Sequence, residues 1–365
     1  MRRRNFVLTL AAGATASALK AQQSQPAAPP SGVGQPTPVQ RADRLVIDAM
    51  GELRMEYSDD VVRGMLASGM DAITITLCDP KPEGDAALTL AVDSLLAHDR
   101  FLSSRPDFFL KATTVADVDR ARRSGRLAVF YLYQNTVQFG PSLDRVDLFH
   151  RMGLRSCQLT YNTQNLVGVG CWETGGLTPF GREMIAHLNA RRMLVDLSHA
   201  NSQTMNETIV ASKAPVIISH TACMAVHPHV RNTTDANLRA LAAKGGVVGI
   251  CQIRPFITDK KKDNLGDYLD HIDHAVKVAG VEHVCIGSDR DHRRIDLTPA
   301  YIAQLQKEEG PQFSDAELPL FLEALNGPRR METIWDALVQ RGYASADVEK
   351  IMGLNLYRLY RDVIG

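Results

Sequence analysis

Two short apolar runs of this chain each end in a histidine: MLVDLSH closes on His199 and PVIISH closes on His220. A run of β-branched and aliphatic residues bounded by polar ones reads as a buried strand of a parallel sheet. A histidine at the carboxyl end of such a strand stands where α/β enzymes place their chemistry. Two such strands, separated by one helix-length segment, can point their histidines into the same mouth. Asp289, in IGSD, closes a further apolar run. Two neutral imidazoles and a carboxylate from separate strands are a common ligand set for zinc or a similar divalent ion, which lowers the pKa of a bound water and polarises a carbonyl. A lone histidine so placed is more often a satisfied core residue. Two at matching strand ends, with Asp289, favour a site.

The elements that must position these residues form a regular series. Apolar strand segments fall at 45–49, 72–77, 127–133, 154–160, 193–198, 215–219, 246–253 and 283–288. Helical patterns lie between them at 59–67, 86–98, 115–124, 145–151, 180–190, 201–211, 235–243 and 267–278, with Asp59 and Thr234 or Asp235 as N-caps. Eight such units in about 250 residues predict an α/β fold closed as a (β/α)8 TIM barrel. A doubly wound open sheet is the alternative, and no GxGxxG follows the first strand to support it. The tail from Glu317 onward is helical, with amphipathic segments at 331–340 and 346–359 that cap or flank the barrel. The strand ends then present Asp48 to Glu52, Gln134, Tyr161 and Asn162, His199, His220, Gln252, and Asp289 to His292.

The chain has 365 residues, 45% hydrophobic and 22% charged, enough for a large core, and its formal net charge is zero. That balance argues against a nucleic-acid partner or a basic membrane patch. Residues 1–21 combine Arg2-Arg3-Arg4 with a short apolar, small-residue stretch and read as a cleavable signal peptide of the twin-arginine type, too short for a membrane anchor. An ordinary secretory signal carrying three arginines is the alternative. Residues 22–42 are rich in Pro and Gln and read as a disordered leader, leaving 43–365 for the barrel. The expected location is periplasmic or secreted, in a bacterium. Cys157 and Cys285 read as buried thiols, Cys171 and Cys223 lie in loops, and none of the six cysteines shows CxxC spacing.

GLTPFGREMIAHLNARRMLVDLSHA (176–200), VIISHT (216–221), RNTTDANLRAL (231–241), IGSD (286–289) and IMGLNLYRLY (351–360) together resemble the renal or membrane dipeptidase family of metallopeptidases. The resemblance runs from about residue 43 to the carboxyl terminus. It implies a (β/α)8 barrel with two bridged zinc ions, a dipeptide substrate and a homodimer. By the same resemblance, His199 and His220 hold the second metal, Asp289 handles protons in peptide cleavage, and Arg231 pairs with the substrate carboxylate. A planar, two-pronged guanidinium suits that last task.

Three departures from the family pattern involve four positions. Met50 and Glu52 stand where the family has a His-x-Asp pair holding the first metal. Gln134 replaces the glutamate that bridges both ions, and Tyr161 replaces a histidine that contacts substrate and oxyanion. A thioether is a poor ligand beside oxygen and nitrogen donors, and a neutral amide lacks the charge to hold two dications together. The expectation is one ion rather than two, held by His199 and His220 with Asp289 and with Glu52 or the amide oxygen of Gln134. Tyr161 takes over as hydrogen-bond donor to an oxyanion. His227, His229 and His292 are nearby substitutes as ligands or acid–base groups. Three functions remain open at this point: a metal-dependent hydrolase of a dipeptide or related small amide, a lyase, isomerase or decarboxylase on the same barrel, and an inactive binding protein.

Overall fold

The computed structural model describes residues 44–309 and 313–365; the expected signal and leader segments lie outside the described residues. Among the described residues there are nine strands: β1 (Ile47–Gly51), β2 (Ala72–Thr76), β3 (Phe109–Lys111), β4 (Leu127–Tyr133), β5 (Leu154–Gln158), β6 (Leu194–Asp196), β7 (Ile217–Thr221), β8 (Val247–Ile250) and β9 (Val284–Ile286). All pair in parallel, in the order β1-β2-β4-β5-β6-β7-β8-β9. The ring closes where the Asp289 amide donates to the Met50 carbonyl at 2.8 Å and the Glu52 amide to the Arg290 carbonyl at 3.2 Å. The eight expected strands therefore form the expected (β/α)8 barrel.

The addition is β3, which is only three residues long and lay below the length at which a period can be read. It pairs with the first residues of β4 (Leu127–Val129), while β5 takes the last (Tyr131–Tyr133). Ser58 rather than Asp59 caps the first helix, its hydroxyl accepting from the Val61 amide, and Asp59 falls in the first turn, where its charge suits the helix dipole. Thr234 caps the 235–243 helix as expected.

Inward-facing Ile47, Ala72, Ala128, Phe130, Ile217, Val247 and Cys285 pack in one cluster with Leu356, Leu359, Tyr360 and Val363. Most of these barrel residues are at strand starts, so the C-terminal helix (Asn355–Val363) plugs the amino-terminal end. The opposite end is left for chemistry. Gly249 and Gly287 are required there, because a Cβ on either would meet the Ser219 carbonyl oxygen at 2.0 and 1.7 Å. No helix among the described residues is long and apolar enough to cross a membrane.

Candidate active site

His199 and His220 meet at the carboxyl end of the barrel. Their rings are edge to face, with centroids 5.0 Å apart, and Tyr161 stacks on His199 at 4.1 Å and 24°. Both histidines are buried, and the Nε2 of each has no hydrogen-bond partner. Burial, with Arg231 nearby, pushes both imidazoles well down from their ordinary pKa, so they are neutral.

Each ring is oriented by a group behind it. His199 Nδ1 lies 2.6 Å from Asn162 Oδ1, an atom that only accepts, so Nδ1 carries the proton and Nε2 is a bare lone pair. Behind His220, the Ser219 hydroxyl donates to Asp196 Oδ2 at 2.5 Å, which leaves Ser219 Oγ to accept from His220 Nδ1 at 2.9 Å. Asp196 is itself held by the Ser198 and Ser219 amides, each at 3.0 Å. His220 Nε2 is then also a bare lone pair. The DLSH and IISH motifs thus encode two histidines and the layer that sets the tautomer of His220, whereas that of His199 is set by Asn162 from outside them. The local backbone is unusual: His199 has φ 68° and Asp289 φ 52°, positions that few side chains adopt and that here turn the chain at the strand ends.

Arg231 is buried, with Nη1 and Nη2 unpartnered and its guanidinium 5.4 Å over the Phe256 ring. Its backbone is fixed by Thr221 Oγ1, which donates to its carbonyl at 2.9 Å. Gln158 on β5 also has both amide atoms buried and unpartnered. Sequence reasoning missed it because the expected strand ran on to residue 160 and placed it inside, whereas β5 ends on it. Gln134 is buried immediately after β4.

The β9–β1 seam is built differently. Glu52, expected to reach a metal, is instead held by Arg54, its carboxylate 2.5 Å from Nε; this corrects the expected ligand set. Asp291 also pairs with Arg54, at 3.1 Å, with Arg293, and with the Tyr57 hydroxyl at 2.8 Å. Met50 is buried. Of the other histidines, His227 faces Asp259 at 4.0 Å and His229 packs on Phe256 at 4.5 Å, its pKa pushed down to about 4 by burial and Arg231. His292 is buried against Tyr57 with both ring nitrogens unpartnered.

The donor set fits the second-metal half of the family site and not the first. Two lone pairs, set by Asn162 and by Ser219 and Asp196, suit one divalent ion. A thioether and a carboxylate already engaged by Arg54 do not suit another. Among the described residues no group of three or more His, Cys, Asp or Glu side chains is arranged to hold an ion, so protein carboxylates do not complete the pair. All six cysteines are free thiols, and Cys157 and Cys285 are buried as expected.

A family model described as membrane dipeptidase (peptidase family M19) matches residues 53–300, beginning just past Met50 and Glu52. The dipeptidase tcpJ of Claviceps purpurea is 32% identical over 253 residues, covering 68% of this chain and 53% of the relative. The dipeptidase verJ of Clonostachys rogersoniana is 31% identical over 256 residues, covering 69% and 59%. The chain thus matches little more than half the length of these curated relatives. An amidohydrolase from Pseudomonas aeruginosa, 28% identical, superposes with a TM-score of 0.80 over 89% of this chain and 98% of its own. A parallel barrel, strand-end histidines oriented from behind, and a match over most of the chain converge: this chain belongs to the membrane dipeptidase family.

Proposed function

We propose that this protein hydrolyses a dipeptide or a related small amide with a free carboxylate, using one divalent ion, zinc by its imidazole ligands, rather than two. The observation that carries this reading is the pair of buried, bare Nε2 lone pairs of His199 and His220 beside the unpartnered guanidinium of Arg231. When bound, the ion would activate water and polarise the scissile carbonyl. The chain's own residues supply the rest. Arg231 holds the substrate carboxylate in a two-pronged contact. Tyr161, stacked on His199, donates to oxygen as charge develops there. Asp289 takes a proton at its carboxylate and delivers it to the leaving amine. The dipeptidase names of the fungal relatives and the amidohydrolase fold neighbour support the reaction class.

The missing third protein ligand favours one competing reading, a binding protein without turnover. Metal analysis of protein prepared without chelators, followed by a dipeptide turnover assay, separates the two. One ion per chain and turnover lost in His220→Ala support the hydrolase; no ion on titration and no turnover overturn it. The arginine-rich residues 1–21 support export by the twin-arginine route, which a two-lysine replacement of Arg3 and Arg4 tests by following the protein into the periplasm.

A further inference from the structure

The β9–β1 seam gathers the guanidiniums of Arg54, Arg290, Arg293 and Arg330 with the carboxylates of Asp48, Glu52, Glu56, Asp289 and Asp291. Arg54 is matched by Glu52 at 2.5 Å, and Arg293 by Asp291. Arg330, fully enclosed, lies in the field of Asp48 and donates to the carbonyl oxygens of Gly327 and Asp291. Arg290 remains. It is 7% exposed, forms no ion pair among the described residues, and its Nη2 is buried without a hydrogen-bond partner. Its neighbours make matters worse electrostatically. His292 beside it is neutral, and Arg330 carries a like charge. The Tyr301 hydroxyl of the overlying helix (Pro299–Glu309) faces it, and the carboxylates of Glu52 and Asp291 that act on the same hydroxyl are already engaged by Arg54 and Arg293.

A buried guanidinium that forms no ion pair of its own is disfavoured, so a chain that keeps one in place has an anion to bring to it. Arg290 directly follows Asp289 at the end of β9, and its carbonyl is clamped by the Glu52 amide at 3.2 Å. It therefore stands at the same end of the barrel as His199, His220 and Arg231, on the side where Met50 and Glu52 supply no metal site. Arg231, with two unpartnered nitrogens, provides for one carboxylate. Arg290 provides for another.

We propose that Arg290 is a specificity residue that holds a second acidic group of the substrate, so that the preferred class is a dipeptide carrying an acidic side chain in addition to its terminal carboxylate. The inference rests on the reading of the site as one for small peptide-like amides. The two-pronged guanidinium selects a carboxylate over the isosteric amide because the amide leaves the buried charge uncompensated.

Titration calorimetry of the metal-loaded protein tests this with the isosteric pairs Ala-Glu against Ala-Gln and Glu-Ala against Gln-Ala, and with glutarate against butyrate. A preference of ten-fold or more for the acidic member in either dipeptide pair, falling to within two-fold in Arg290→Gln, is the expected result. Arg290→Lys, which keeps the charge but not the fork, lowers the preference at least three-fold and decides the matter if the glutamine variant does not fold. A preference near one in the unaltered protein, or one that survives both substitutions, overturns the proposal. Failure of the underlying reading looks different. Glutarate then binds in an Arg290-dependent manner while no dipeptide binds, whereas equal binding of acidic and neutral dipeptides leaves the peptide reading intact and removes the role of Arg290.

Discussion

At the ends of β6 and β7 the buried polar groups are arranged in layers. Asp196 holds Ser219, Ser219 orients His220, Asn162 orients His199, and the innermost atoms are two lone pairs with nothing to bind. Across the barrel, at the β9–β1 seam, the polar groups are arranged in pairs, with Arg54 on Glu52 and Arg293 on Asp291. The first arrangement is kept ready for a ligand, and the second has mostly satisfied itself. One scaffold thus carries a preserved half-site and a rebuilt one.

The strongest way to break this contrast is to remove an innermost group from the layered half. His220→Ala is expected to lower turnover about a thousand-fold and to abolish ion retention, because the proposed ion would rest on two imidazoles; a steady-state assay beside metal analysis checks both. A variant that keeps its ion would place the metal elsewhere.

The paired half is tested through pH. Burial pushes Asp48 up from 3.8 to about 6 against the opposing pull of Ser288 and Arg330. Between those values the folded chain keeps a proton there that the unfolded chain has released. The stability it contributes is complete below the unfolded value and is lost as pH rises through about 6, roughly 3 kcal/mol in all. Asp48→Asn is expected to make the fall in urea midpoint between about pH 4 and 6 shallower by this one group's share, leaving that of Asp71, which is also pushed up to about 6. An unchanged slope would mean that Asp48 does not keep its proton in the folded chain.

Behind the histidines the expected effect is smaller. Asn162→Leu frees His199 Nδ1 and is expected to weaken ion binding 10–100-fold, whereas Asn162→Asp, which still accepts from Nδ1, keeps binding within a few-fold. Competition titration with a chelator reads this without any turnover. The smallest effect is expected on the rebuilt side, where Met50→Leu, a buried swap of similar volume, should leave kcat/KM within about two-fold and cost less than about 1.5 kcal/mol of stability. A large loss of activity there would show that the seam still takes part in the chemistry.

The strand series, the barrel and the place of its mouth were all legible in the chain, because apolar runs of four to eight residues with helix-length spacers are local patterns that closure of a parallel sheet can satisfy in few ways. The sequence also raised the expectation of one ion rather than two, since a thioether is a poor ligand beside hard donors. Glu52 was misjudged for a reason that is equally physical. Its type permits coordination, but Arg54, two residues away on the folded turn, takes its carboxylate. The three-residue β3 carried too little period to be seen, and Gln158 gave no sign because the apolar run continues past it to 160 and hides that β5 ends there.

By itself, the sequence determined which residues stand at the strand ends and therefore the histidine pair and Asp289, while Arg231 came from the family resemblance. Only the tertiary structure decided their states. The tautomers depend on Asn162, 37 residues before His199, and on a serine and an aspartate from two neighbouring strands. The charge pairing of the seam depends on groups such as Tyr57 and Asp291, 234 residues apart. Residue type sets what a side chain is able to do, whereas burial and the partner it meets set its charge, its proton and whether it is left free, and those are fixed only when distant segments close the barrel.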